Sequence, residues 1–154
     1  MRSPARLLRG SPFRTFVLYP VVVVAWELFL NGGRLRLDPW FAPLLPWGFL
    51  QYWLCGRYRI RRGGGGPGME TPPERLVVTG PFAWCRNPMY LGHLAFLLGL
   101  TLSLRSALAA IITIAAAVWF QLRVRRDEER LRERFGQPYL DYSARVKRWI
   151  PLLF

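Results

Sequence analysis

Four apolar runs divide the chain, and the polar stretches between them set its order. The first, Phe13–Leu30, carries one acid, Glu27. At ~1.5 Å per residue in a helix it just spans a bilayer core. The second, Pro39–Cys55, opens on Pro39, Pro43 and Pro46, a bent start that packing partners in a membrane tolerate. The third and fourth, Pro88–Leu104 and Ser106–Leu122, are separated by Arg105 alone. So short a connection predicts a tight helical hairpin. Gly92 and Gly99 on one arm, and Ala109, Ala110 and Ala115 to Ala117 on the other, allow close packing. The pattern predicts an all-α integral membrane fold with about four transmembrane helices, spans three and four forming the hairpin.

The polar stretches read differently from one another. Residues 1–12 are a basic leader, and Asn31–Asp38 is a short loop. Residues 56–78 form a polar loop that opens on Arg57, Arg59, Arg61 and Arg62 and continues into a glycine-rich linker. No Gly-Lys-Ser/Thr follows those glycines, so they do not make a phosphate-binding loop. After span four, residues 123–136 carry a strong helical signal that stops at Gly136. Val124, Leu131 and Phe135 share one face of that helix. Glu128 falls on the same face, Asp127 borders it and Glu129 points away. An inward carboxylate needs a partner, whereas Glu129 and Glu133 suit solvated pairs with arginine. Pro138 starts a second helix with Tyr139, Tyr142, Val146 and Ile150 on one face, ended by Pro151. The two helices after span four are predicted to be cytoplasmic and amphipathic, and the tail after Trp149 to dip into the membrane interface.

Charge adds an orientation. The formal net charge is +13, and 21 of the 22 basic residues are arginine. Four lie at or before the start of span one, six in the middle polar segment and nine after span four, against two and one in the other two connections. That asymmetry places the N-terminus, the middle segment and the C-terminus in the cytoplasm. It also explains the basic residues without nucleic acid. The first run is no signal peptide, because no small-residue cleavage site follows it. Two cysteines, Cys55 and Cys85, and one histidine give no metal-ligand spacing, so no metal site is expected. Glu27 lies near the far end of span one, where an interfacial, snorkelling role competes with a functional one.

The candidate chemistry sits in residues 79–92, Thr-Gly-Pro-Phe-Ala-Trp-Cys-Arg-Asn-Pro-Met-Tyr-Leu-Gly. Gly80-Pro81 is a turn, and Asn87-Pro88 is a helix start in which Asn caps and Pro takes the first position. The free N–H groups at such a start favour an anion, and Arg86 stands one residue outside it. A capped helix with a basic anchor is the plain alternative.

Taken together, Gly80-Pro81-Phe82, Arg86-Asn-Pro-Met-Tyr-Leu-Gly92, the acidic pair, Phe135-Gly136, Tyr139, Tyr142 and Val146-Lys-Arg-Trp-Ile-Pro151 resemble the isoprenylcysteine carboxyl methyltransferase family and its phospholipid methyltransferase relatives. The resemblance covers about residues 76–151. Asn87 stands where that family has His, and Lys147 where it has Pro. Counting back from Phe135-Gly136 aligns the acidic pair with Asp127-Glu128. The resemblance implies a small integral-membrane enzyme that uses S-adenosylmethionine to methylate a lipidic or prenylated acceptor. It implies three regions: a two-span part over 1–62, a linker over 63–75 and a methyltransferase-like part over 76–154. Cofactor-binding residues carried over are Asn87, Pro88, Tyr90, Gly92, His93, Asp127, Glu128 and Tyr139. Glu128 would face the cofactor's ammonium or sulfonium, where an opposite charge in a poorly hydrated site is strongly favourable. Arg86 or Arg148 would hold a carboxylate of cofactor or acceptor. These three, Glu128, Arg86 and Arg148, are the expected catalytic residues. His93, three after Tyr90, is either a packed membrane histidine or a base; a carboxylate acceptor needs no base, an amine or thiol does.

Two other readings stay open on the sequence. One is an NADPH-dependent membrane reductase of the sterol-reductase type, which shares the C-terminal architecture. The other is a non-catalytic membrane scaffold. The acceptor and the oligomeric state are also open. The charge distribution makes a direct prediction: a reporter fused to the C-terminus will report a cytoplasmic location, and an external one would refute the proposed orientation.

Overall fold

The computed structural model describes residues 10–66 and 73–149; most of the basic leader, residues 67–72 of the glycine-rich linker and the tail from Ile150 lie outside the described residues. All regular structure among the described residues is helical. Helix α1 runs Ser11–Leu30, α2 Leu44–Gly63, α3 Pro81–Trp84, α4 Pro88–Leu104, α5 Ala107–Phe135 and α6 Gln137–Arg145. They divide into two compact units, Met1–Leu50 with Gly92–Ala117, and Gln51–Leu91 with Val118–Phe154.

By length and composition, α1 and α5 can each cross a membrane; α4 is apolar but shorter, at 17 residues. Much of their apolar surface is uncovered: Phe29 is 79% exposed, Ile111 64% and Ile114 66%. Side chains of that kind in such number need a non-aqueous surround.

In the first unit, α1 contains a π-helical turn, Arg14–Leu18, with the Tyr19 N–H bonded to the Arg14 carbonyl. Pro20 follows directly and has no N–H to offer four residues back, so the wider turn absorbs the break. The inner side of α1 presents Thr15, Phe16 and Val23. Val23 packs with Leu100, Leu104 and Ala109. Phe16 stacks on His93 at 4.8 Å and meets Phe49 and Phe96 edge-on at 5.3 and 4.9 Å. Glu27 is tied into the exposed end of α1, where the Asn31 amide donates to its carbonyl at 2.8 Å and to its carboxylate at 3.2 Å. That is a helix-end role.

Arg105 and Ser106 join α4 to α5. Arg105 takes a left-handed φ of +48° and bonds Asp38 at 2.8 Å. The Arg105 guanidinium, and then the Trp40 N–H, hold the Asp38 carboxyl below its usual range. The Ser106 hydroxyl accepts from the Ala109 N–H at 3.2 Å, capping α5. The Thr101 and Thr113 hydroxyls meet at 2.9 Å, and Thr113 also reaches the Leu97 carbonyl.

The glycines expected to pack α4 against α5 serve a different neighbour. A Cβ on Gly99 would lie 2.7 Å from the Leu44 Cβ, and one on Gly48 would lie 2.5 Å from the Phe96 nitrogen and 2.6 Å from the Gly92 carbonyl. The close approach is therefore between α2 and α4. Two boundaries also move. The arginines expected to open a loop at 56 continue α2 to Gly63, because nothing before Gly64 (φ +71°) breaks the helix. Arg57 lies over Trp53 at 4.6 Å. Span four and the basic helix after it form one helix of 29 residues, Ala107–Phe135. At about 1.5 Å per residue it exceeds a bilayer core, so its charged half must emerge.

The Gly48 contact yields a prediction. Gly48→Ala is expected to destabilise the detergent-purified protein by about 1–3 kcal/mol through overpacking against backbone. An unchanged unfolding midpoint would show that α2 and α4 do not approach this closely.

Candidate active site

The second unit gathers the polar residues of the Arg86–Tyr90 stretch and of the charged half of α5. Gly80 shapes the approach. Its φ is +60°, and a Cβ there would lie 2.6 Å from the Tyr58 ring, so only glycine fits. The Tyr58 hydroxyl bonds that of Thr79 at 2.8 Å. The short helix α3 then ends in an extended Cys85, and α4 starts at Pro88 with the Asn87 carbonyl accepting from Tyr90 and Leu91.

The segment after α6 is stitched to this turn. α6 stops at Arg145, and Val146 is extended. The Arg86 N–H then bonds the Lys147 carbonyl at 3.0 Å. The Arg148 carbonyl accepts from the Cys85 thiol at 3.4 Å and from the Asn87 amide at 3.1 Å. This pairing is why the helix does not continue to Pro151 as the sequence suggested. Burial pushes the Cys85 thiol up to about 11, so it stays a neutral donor. Tyr142 anchors α6 by donating to the Phe82 carbonyl at 2.6 Å.

Glu128 lies at the centre. Its side chain is 12% exposed, and Arg148 holds it bidentately, with Nε at 3.0 and 3.2 Å and Nη2 at 2.7 Å. Arg86 approaches the other oxygen at 3.5 Å and the Asn87 amide reaches it at 3.5 Å. The bond to Glu128 raises the Arg148 guanidinium further above its ordinary value. The preceding residue, Asp127, accepts from the Tyr90 hydroxyl at 2.8 Å and lies 3.7 Å from Arg123 and 3.9 Å from Arg130. Glu129 is exposed, as the helical face required.

Beside these groups lies a cleft with about 100 Å³ of room. Of the expected residues, Arg86, Asn87, Pro88, Tyr90, Asp127, Glu128 and Tyr139 line it. Arg148 does not; with Arg86, Gln121, Lys147 and Trp149 it lines a second, more open hollow of about 630 Å³. Gly92 and His93 line neither: His93 is fully buried against Phe16 in the first unit. Its helical spacing from Tyr90 does not bring it to the cleft.

Sequence reasoning missed Arg59, which lines the cleft at 9% exposure and donates to the Gly66 carbonyl at 3.2 Å. Burial lowers its guanidinium below the ordinary value. In the charge pattern it counts among the topology-setting arginines. The signal was available: Cys55, Arg59 and Gly63, four apart on α2, form one buried stripe. The apolar wall, with Leu76, Val77, Met89 and Leu131, was likewise not singled out as part of the site.

Residues 65–138 match the family model described as phospholipid methyltransferase. The chain is 35% identical over 86 residues to the protein-S-isoprenylcysteine O-methyltransferase of Mus musculus, covering 54% of this chain and 30% of that protein. It is 36% identical over 80 residues to the Saccharomyces cerevisiae protein of the same name, covering 51% and 33%. It is also 33% identical over 79 residues to the nickel-cobalt-cadmium resistance protein NccN of Alcaligenes xylosoxydans xylosoxydans, covering 51% and 37%. The chain thus spans about a third of the length of these curated relatives. The segment 65–138, just under half of the chain, is thus similar to the phospholipid methyltransferase family, and the chain to the protein-S-isoprenylcysteine O-methyltransferases over about half its length.

Proposed function

We propose that the protein is an integral-membrane methyltransferase that uses S-adenosylmethionine and acts on a lipidic acceptor. The observation that carries this reading is the Glu128 cluster: a part-buried carboxylate gripped by Arg148, Arg86 and Asn87 at the start of an apolar helix, beside the Tyr90–Asp127 pair. The donor set fits the cofactor. A zwitterionic amino-acid end needs both signs of charge in one place, and Glu128, Asp127 and Arg86 supply them. A flat base needs apolar walls, which Leu76, Val77, Met89 and Leu131 provide. The room of about 100 Å³ is below the ~300–1,000 Å³ usual for small-molecule sites, so a nucleoside-sized ligand has to part those walls.

When bound, the cofactor supplies a methyl group already activated on a sulfonium. What the chain contributes is position and dryness. Glu128 presents its carboxylate to the ligand's cationic end, and Arg148 and Asn87 fix its orientation. Tyr90, locked to Asp127, sets the wall of the cleft. Both carboxylates are already engaged by arginines, and the cleft lining includes no histidine. An acceptor that attacks as an anion, a carboxylate, suits this site better than an amine or a thiol. The mouse and yeast relatives are named for an isoprenylcysteine acceptor; a prenylated or otherwise lipidic carboxylate is the class proposed for this chain.

In the membrane, α1, the apolar part of α2 up to Cys55, α4 and the apolar half of α5 are the proposed four spans. Both termini face the cytoplasm, with the charged half of α5 and α6 at that surface. The uncovered apolar side chains and the arginine asymmetry support this placement.

Calorimetry on the detergent-purified protein tests the cofactor assignment. S-adenosylmethionine and S-adenosylhomocysteine are expected to bind saturably, NADPH not at all. Glu128→Gln should weaken the first two at least tenfold by removing the charge that faces the ammonium. Binding of NADPH alone would overturn the reading in favour of a reductase, and unchanged affinity in Glu128→Gln would remove Glu128 from the site.

A further inference from the structure

The open hollow of about 630 Å³ takes no part in the chemistry assigned to the cleft. Its lining holds three cations, Arg86, Lys147 and Arg148, and no acid. Glu128, the partner of Arg86 and Arg148, lines the cleft instead. Even with that carboxylate counted, the wall keeps a surplus of positive charge. The surplus centres on Lys147. Its backbone carbonyl joins the junction by accepting from the Arg86 N–H, but its side chain is exposed and makes no ion pair among the described residues. It is the only lysine of the chain, and it stands where the family that the chain resembles has Pro, so this cation is no part of the resemblance. An ammonium on a flexible stem is a compact point charge, suited to a phosphate.

The hollow also has a defined depth. Gln121 is in its wall, directly after the buried Phe120 and two residues before Arg123, the first charge after the apolar run of α5. The Trp149 indole N–H donates to the Gln121 side chain at 2.7 Å. A tryptophan fixed where an apolar helix turns charged marks the level of lipid headgroups. Val118, three residues before Gln121 on the same helix face, is 57% exposed. The hollow therefore joins a cationic recess to uncovered apolar surface. A soluble phosphate uses only the first of these; a phospholipid uses both.

We infer that this hollow binds the phosphate of an anionic phospholipid of the cytoplasmic leaflet. The Lys147 ammonium meets the phosphate in the field of Arg86 and Arg148, and the acyl chains run along Val118. Basic recesses at the cytoplasmic ends of membrane helices suit such headgroups. The lipid is a retained ligand and not a methyl acceptor. This assignment rests on the membrane placement proposed above and is independent of the cofactor and acceptor.

The test titrates phosphatidylglycerol in mixed micelles into the detergent-purified full chain, followed by calorimetry. Its headgroup has no amine, carboxylate or thiol to methylate. Saturable binding is expected, with none for phosphatidylcholine. Lys147→Gln should weaken it about fivefold, the effect of one cation beside an anionic headgroup, and Lys147→Arg should restore it. Arg125→Gln removes an exposed arginine of α5 that lines neither cavity and should leave the affinity unchanged. Equal losses in Arg125→Gln and Lys147→Gln would mean diffuse surface charge and overturn the site. Displacement of the lipid by inorganic phosphate at constant ionic strength would assign the hollow to a soluble anion and overturn the lipid. Absence of binding to a wild type whose C-terminal reporter is cytoplasmic would overturn the site alone, whereas an external reporter would overturn the placement with it.

Discussion

A carboxylate that leaves water must find compensation, and the second unit of this protein is built around that requirement. Glu128 lies on the same face of α5 as Val124, which is fully buried. A negative charge held there without partners would be strongly destabilising. Its partners come from two places far apart in sequence, Arg86 and Asn87 before α4 and Arg148 after α6. Satisfying Glu128 therefore fixes the path of both. The backbone bond between Arg86 and Lys147, and the two donors on the Arg148 carbonyl, complete the junction. One helix-face position thus decides where the C-terminal segment goes, and the cleft is the space left beside that junction.

The same arrangement accounts for the departure from the family pattern at position 87. An amide can donate to a carbonyl and a carboxylate at once without changing charge, and Asn87 does both, at 3.1 and 3.5 Å. A cation there would add to an already positive cluster. Lys147 takes part through its backbone carbonyl, so its side chain is free to differ.

Much of this was legible in the sequence, for definable reasons. The helical face of α5 separated Glu128 from Glu129, because periodicity alone tells which acid points inward. The Asn-Pro start located α4. Other features were hidden because local pattern does not carry them. The arginines of α2 looked like loop and topology charges, and only the buried stripe through Cys55, Arg59 and Gly63 reveals that one of them turns inward. The join between span four and the charged helix has no breaker, yet a change from apolar to charged composition resembles a boundary. Gly99 is a site of close approach, but to Leu44 of α2 and not to α5 as its place in the hairpin suggests, because small residues mark closeness without naming the neighbour. His93 shares helical spacing with Tyr90, yet it stacks on Phe16, and spacing along one helix does not say which neighbour a ring will meet.

The central claim is that the Glu128 cluster prepares this chain to transfer a methyl group to a lipid. The most direct measurement incubates membranes containing the protein with S-adenosylmethionine carrying a labelled methyl group, then counts label in the lipid-extractable fraction. The account predicts incorporation with the wild type that falls to background with Glu128→Gln. Equal incorporation by the two proteins, or no lipid-extractable label from a wild type that binds the cofactor, would contradict it.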